Sequence, residues 1–446
     1  MNRRDFLSAT TARCLAAGAA FSPVGSRFLT AQERQARRGM PPIKITAIRA
    51  IQTRANSAWT IVKVETSEPG LYGIGSASDL FRPGSVPPAV EVLAQGVVGR
   101  DPDDIEDIWQ TSYMSSLWRN SATTNVALGG LDVALWDLKG KRANMPCYQL
   151  LGGKSRVAVP VYDHAHEGKT FESVEEGVRA SMEKGFNHIR VQLGGYGGGG
   201  FIEAGQGVRP RGGPTGRVFD EELYIETIPK LFEHLRNKVG FGPKLLHDAQ
   251  EHFSPMKAIQ LAKLLEPSRM FFLEDVLNLE QLPWYRTMRQ QTVTPQAAHE
   301  KLTSPSEYIP LISERLVDFI RFRLAKVGGL TAARKIAAMA EIYGVRTAFQ
   351  EGADNDPVSL AAAMHLDTAI VNFGIQEENH FTPQEVEAFP GTPIVERGFL
   401  YPSERPGLGV DIKEELTSKL LTSTPGGRMV RYYPSDRKAD GSFVRP

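Results

Sequence analysis

Between residues 156 and 380 short apolar runs alternate with helix-length amphipathic stretches, and three of the runs end in a carboxylate at one fixed interval. KLLHD, MFFLED and PQAAHE place Asp248, Glu274 and Glu300 26 residues apart, twice over. A strand, a helix and two turns take about that many residues, so the interval reads as one carboxylate per consecutive β/α unit. The strands of this region are VAVPVYDHA, HIRVQLG, the three carboxylate runs, FIRFRLAKV, VRTAFQE and NFGIQEE. Eight is the number that closes a β/α barrel, whose strand C-termini meet at one mouth. An open doubly wound sheet would show a glycine-rich phosphate turn after its first strand, and none is present there. Three carboxylates converging on one mouth repel one another unless a cation lies between them. An all-oxygen set suits Mg²⁺.

The flanking segments have other patterns. From Ile43 to about residue 155, KITAIRAIQT, WTIVKVETS and LYGIGSAS read as strands, followed by helical stretches near 87–99, 103–118 and 122–142. That is an α+β module. Residues 381–446 are rich in Pro and Gly, lack β/α alternation, and are expected to return over this module. The insertion after HIRVQLG is glycine-rich but has no GKS or GKT ending and opens no helix, so it reads as a lid loop over the mouth.

Composition narrows the partners. The 446 residues carry a net charge of +1, which gives no electrostatic case for nucleic acid or a membrane surface. No apolar run is long enough to span a bilayer. Residues 1–42 begin MNRRDFLSATTARCLAAGAAFSP: paired Arg3 and Arg4, then Phe6 and Leu7, then a small-residue stretch. The order predicts a twin-arginine export leader and a periplasmic mature protein. Of the two cysteines, Cys14 lies in that leader, leaving Cys147 without a disulfide partner.

ALGGLDVALWDLKGKRANMPCYQLLGG (127–153) resembles the signature helix of the mandelate racemase and muconate-lactonizing branch of the enolase superfamily. DIEDIWQ, the YDHAH strand, HIRVQ, FFLED, VGGLTAARKIA, NFGIQE and PGLGVDI bring the chain close to the mannonate dehydratase subgroup. The resemblance implies an N-terminal α+β cap on a modified (β/α)7β TIM-like barrel, and a homo-oligomer. It implies Mg²⁺ held by Asp248, Glu274 and Glu300, and a small carboxylate substrate that loses its α-proton. Asp275 neighbours Glu274 but points to the other face of its strand and is left out. Arg190 matches the arginine that partners a tyrosine base. His164, Arg321, Asp354 and Glu377 match substrate-binding positions.

The departures fall on the proton-transfer groups. Gln250 stands where the subgroup has its acid histidine, Gln350 stands where a further histidine is expected, and Leu80 replaces a cap asparagine. Glutamine transfers no proton near neutral pH, which leaves Gln250 and Gln350 as substrate contacts. Tyr196, in the lid loop, is a stand-in for the base. Glu251 and His252, beside Gln250, are replacement acids, with His299 and Glu351 nearby; His299 is expected to point away from the metal. The reading favours a lyase that dehydrates a sugar acid. An isomerase, or a catalytically weak sugar-acid sensor, remains open.

Overall fold

The computed structural model describes residues 41–54, 58–79, 81–115, 117–352, 355–420 and 436–444. The export leader and disordered joint expected over residues 1–42 therefore lie almost wholly outside the described residues, and Leu80 and Asp354 lie outside them too. By contact density the chain divides into Met1–Lys44 and one compact unit, Ile45–Pro446. Within that unit the alternating segments form the parallel barrel and the preceding segment forms the cap. No helix among the described residues is long and apolar enough to cross a membrane.

The cap opens with an antiparallel sheet of β1 (Ile45–Arg54), β2 (Ala58–Thr66) and β3 (Tyr72–Ser76). Helices Val86–Val97, Ile105–Met114 and Ala122–Ala143 follow. Ser121 caps the third by accepting from the Thr124 N–H, and Asn144 ends it in the left-handed region. Its middle is buried all round because it is packed on two sides. On one it lies against β3 so closely that a Cβ on Gly75 would sit 2.1 Å from the Gly130 carbonyl oxygen. On the other, Trp136 Nε1 donates to Thr331 Oγ1 at 2.9 Å, and Asp132 accepts from the Thr331 amide at 2.9 Å. Thr331 lies on a barrel helix, Leu330–Ile342.

The barrel strands are β4 (Val159–His164), β5 (His188–Arg190), β8 (Lys244–Asp248), β9 (Phe272–Glu274), β10 (Gln296–Ala298), β11 (Phe319–Ile320), β12 (Arg346–Phe349) and β13 (Phe373–Glu377). All eight are parallel, and β13 pairs with β4 to close the ring. The insertion after β5 is not a featureless loop: it carries a small hairpin of β6 (Phe201–Ile202) and β7 (Val218–Phe219). Beyond the barrel, β14 (Phe399–Leu400) runs antiparallel to the start of β4. The chain then reaches the cap, where Glu414 pairs with Arg49 at 3.0 Å and Lys63 at 2.7 Å. Residues 436–444 end against the hairpin, the Phe219 amide donating to the Arg437 carbonyl at 2.8 Å.

Candidate active site

Strand alternation builds the site. Tyr162, Leu246, Phe272, Ala297, Phe319, Ala348 and Ile375 form a closed layer of their own inside the barrel. Two residues further along, the same face of six of these strands presents His164, Asp248, Glu274, Arg321, Gln350 and Glu377. β10 is the exception. There Glu300, three residues beyond Ala297, reaches the mouth, while His299 places Nε2 2.8 Å from the Leu277 carbonyl on the other side.

The result is a cavity of about 580 Å³ lined by His164, Arg190, Tyr196, Gln250, Glu300, Arg321, Gln350 and Glu377 among others. Lys301, Arg323 and Lys326, which the sequence reading did not single out, also line it. The signal for one of them was present: in FIRFR, Arg323 has the parity of Arg321. Lys326 is fixed by Asp79 of the cap, 2.9 Å from its Nζ. With Arg190 and Arg321 these side chains set five cationic groups in the lining beside Glu167, Glu300 and Glu377.

Asp248 and Glu274 are register partners on β8 and β9, so their carboxylates are neighbours by construction. Arg190 Nη1 lies 3.4 Å from Asp248 Oδ2. Arg321 spans the other acids, with Nε 2.6 Å from Glu274 Oε1 and Nη2 2.8 Å from Glu377 Oε2. The Glu274 contact is too poorly aligned for a hydrogen bond, and both buried Glu274 oxygens accept none. Burial raises the Glu274 pKa well above the usual carboxylate range, with Arg321 opposing and Asp248 adding to the shift. Burial followed by Asp275 pushes Glu300 up to about 7. Asp248 and Glu274 stand side by side, the Glu274 oxygens accept no hydrogen bond, and with Glu300 they make an all-oxygen set of the kind that could hold Mg²⁺.

The flanking groups are fixed in turn. Gln250 and Glu251 both have positive φ (50° and 60°), and this reversal after β8 separates their side chains. Gln250 curls back, its Nε2 donating to Asp248 Oδ2 at 2.9 Å and its amide to Oδ1 at 2.9 Å. Glu251 turns the other way, 2.8 Å from Lys301 Nζ and 3.2 Å from His299 Nε2, in a buried group with Asp275. His252 packs on Phe219 of the hairpin, ring centroids 5.2 Å apart. Neither Glu251 nor His252 is among the lining residues. Glu351 is also turned inward, accepting from Ser359 Oγ at 2.7 Å.

Tyr196, where sequence alignment failed, is brought to Arg190: Nη2 donates to the phenol oxygen at 2.9 Å, and the guanidinium lies 5.2 Å from the ring centroid. Arg190 Nη2 is also 3.3 Å from His164 Nδ1, and His164 Nε2 is 2.9 Å from Glu377 Oε1. Burial and then Arg190 lower the His164 pKa. Burial alone would raise Glu377, but Arg321 and His164 outweigh it and hold the carboxylate ionised.

Comparison with known proteins agrees with this architecture. Residues 173–416 match the enolase C-terminal domain-like family and residues 30–152 the mandelate racemase / muconate lactonizing enzyme N-terminal domain. A D-galactonate dehydratase family member from Paenibacillus sp. (strain JDR-2) is 53% identical over 407 residues, 90% of this chain and 100% of the relative. The chain belongs to the enolase superfamily, in its D-galactonate dehydratase family. A second member of the family, from Musicola paradisiaca (strain Ech703), is 42% identical over 91% of this chain and 100% of its own length. An enolase from Pantoea ananatis, crystallised with bound D-gluconate and Mg, has a TM-score of 0.86 at 43% identity, covering 91% of this chain and 100% of that one. A superfamily member from Salmonella Typhimurium, at 22% identity and a TM-score of 0.74 over 84% of this chain and 98% of its own, shares the fold.

Proposed function

We propose that this chain is a Mg²⁺-dependent dehydratase of a sugar acid, with Tyr196 as the proton carrier. The observation that carries the reading is the 2.9 Å hydrogen bond from Arg190 to the Tyr196 oxygen. A guanidinium donating to a phenol favours the phenolate, the form that accepts a proton. Asp248, Glu274 and Glu300 would hold the ion, which when bound offsets the charge that grows on a substrate carboxylate as its α-proton leaves. The Mg and D-gluconate in the Pantoea ananatis relative support both the metal and the substrate class.

The other residues bind and orient. Arg321, Lys301, Arg323 and Lys326 supply positive charge and donors for a carboxylate and hydroxyls, and the low pKa of His164 makes it a neutral hydrogen-bonding group. Gln250 and Gln350 cannot shuttle protons. Tyr196 therefore takes the α-proton and, now a phenol, returns it to the departing β-hydroxyl. The C–H and C–O bonds break, water leaves, and the resulting enol tautomerises to a keto acid. The same two glutamines favour a second reading, an isomerase, in which the Tyr196 phenol passes the abstracted proton to solvent and water reprotonates the opposite face of the α-carbon.

Incubation of the Mg²⁺-loaded protein in D₂O with a panel of sugar acids, followed by NMR, tests both. Loss of the α-proton with release of water supports the dehydratase, and exchange with an inverted centre supports the isomerase. Binding without any exchange would replace both with a sugar-acid sensor.

A further inference from the structure

The alternation that sends His164 and Glu377 into the mouth sends their neighbours Asp163 and Glu378 to the outer face of the barrel. Closure of the ring pairs Glu377 with Tyr162, and the Glu378 amide lies 3.3 Å from the Tyr162 carbonyl, so the two outward carboxylates come together at the β13–β4 seam. His380 follows: its Nδ1 is 3.2 Å from Glu378 Oε1 and its Nε2 is 3.8 Å from Asp163 Oδ1. One ligating atom from each of the three lies within 4.8 Å of the other two.

The three groups differ in how they are satisfied. Asp163 Oδ2 accepts from Ser181 Oγ at 2.6 Å, which leaves Oδ1 toward His380. Glu378 is the unusual one. Its side chain is only 2% exposed, yet neither carboxylate oxygen accepts a hydrogen bond. A buried carboxylate that accepts no hydrogen bond is costly unless a cation meets it, and here the His380 ring stands at ion-pair distance. Burial pushes its pKa up to about 8, with His380 opposing and Asp163 adding to the shift. Glu378 and His380 also line a cavity of about 320 Å³ that reaches the surface through the exposed His380, which gives an ion a path in.

We propose that Asp163, Glu378 and His380 form a second metal site, separate from the acid trio, for a divalent transition metal of the zinc type. Two carboxylates and an imidazole are a mixed oxygen and nitrogen set, which selects zinc-like ions over Mg²⁺. With bonds of about 2.0–2.2 Å, tetrahedral ligands sit roughly 3.3 Å from one another; one atom from each of the three lies within 4.8 Å of the others, and His380, which turns a different ring nitrogen to each carboxylate, has to swing to offer one nitrogen to the ion. Three protein ligands leave one position open to the cavity, where Lys184 and Arg397 are also in the lining. The ion would clamp the strand pair that closes the barrel from outside, while Glu377 holds the same seam from within.

The full-length protein, stripped with chelator and then given Zn²⁺ in the presence of Mg²⁺, is the test. Crystals measured at the zinc absorption edge should show an anomalous peak among the three side chains, and calorimetry should count two ions per chain. His380→Ala, at an exposed position that does not threaten folding, should reduce the count to one and erase the outer peak. Glu378→Gln should do the same, and Glu300→Gln should leave the outer peak in place. Zinc at the acid trio only, or a count that His380→Ala does not change, would overturn the proposal: His380 would then be a protonated bridge between two carboxylates.

Discussion

Gln250 is the sharpest place to test how the acid trio is held. Its Nε2 donates to Asp248 Oδ2 at 2.9 Å, and no proton-transfer role is open to it. Gln250→Met keeps side-chain length and the backbone at φ 50° but removes the donor. A hydrogen bond to a charged acceptor contributes about 1.5–3 kcal/mol. Independently, loss of a partner that orients a metal ligand costs roughly 10–100-fold in affinity, or about 1.4–2.7 kcal/mol. Arg190 stays 3.4 Å from the same oxygen, and the backbone amide still bonds Oδ1, so the lower half of that range is expected. Calorimetric titration of the chelator-stripped variant with Mg²⁺ should show about a tenfold weaker dissociation constant. Unchanged metal affinity together with lost sugar-acid binding would refute the orienting role and make Gln250 a substrate contact alone.

Three further predictions follow from other contacts. Tyr196→Phe keeps the ring over Arg190 but removes the phenol oxygen, and α-proton exchange should fall by about 10²–10⁴ with the fold intact by circular dichroism; unaltered exchange would move the base elsewhere. Burial, against the opposing Thr331 hydrogen bonds, pushes the Asp132 pKa from 3.8 up to about 7. A carboxyl raised in the folded state contributes fully below its unfolded pKa and loses that contribution as pH rises through the folded one. At 1.36 kcal/mol per pH unit, stability should therefore drop by about 3 kcal/mol between pH 4 and 7; denaturant titrations of Asp132→Asn should lack that component, and an identical slope would contradict it. Gly75→Ala puts a methyl 2.1 Å from one backbone atom and 2.5 Å from another, neither of which can swing aside. It should destabilise by about 3 kcal/mol or more in thermal unfolding.

Much of this protein is legible without coordinates. Strand length, parity and the interval between carboxylates determine the barrel, and they determine that Asp248, Glu274 and Arg321 share one face. Those are consequences of a two-residue repeat, which local sequence expresses directly. The roles of residues just past a strand end are different, because there the backbone leaves the repeat. Positive φ at Gln250 and Glu251 sends one side chain onto Asp248 and the other behind it toward Lys301, a parting that no count along the sequence predicts. Tyr196 sits in a glycine-rich loop whose path depends on the hairpin and on the returning residues 436–444, so only the folded chain brings it to Arg190. The outer cluster has the same origin: Asp163 and Glu378 are 215 positions apart in the sequence and meet because the ring closes. Sequence by itself determined the scaffold and, through periodicity, that Asp248 and Glu274 face the barrel mouth. Tertiary structure decided which groups face the acids, because loop paths and ring closure are set by contacts between distant parts of the chain.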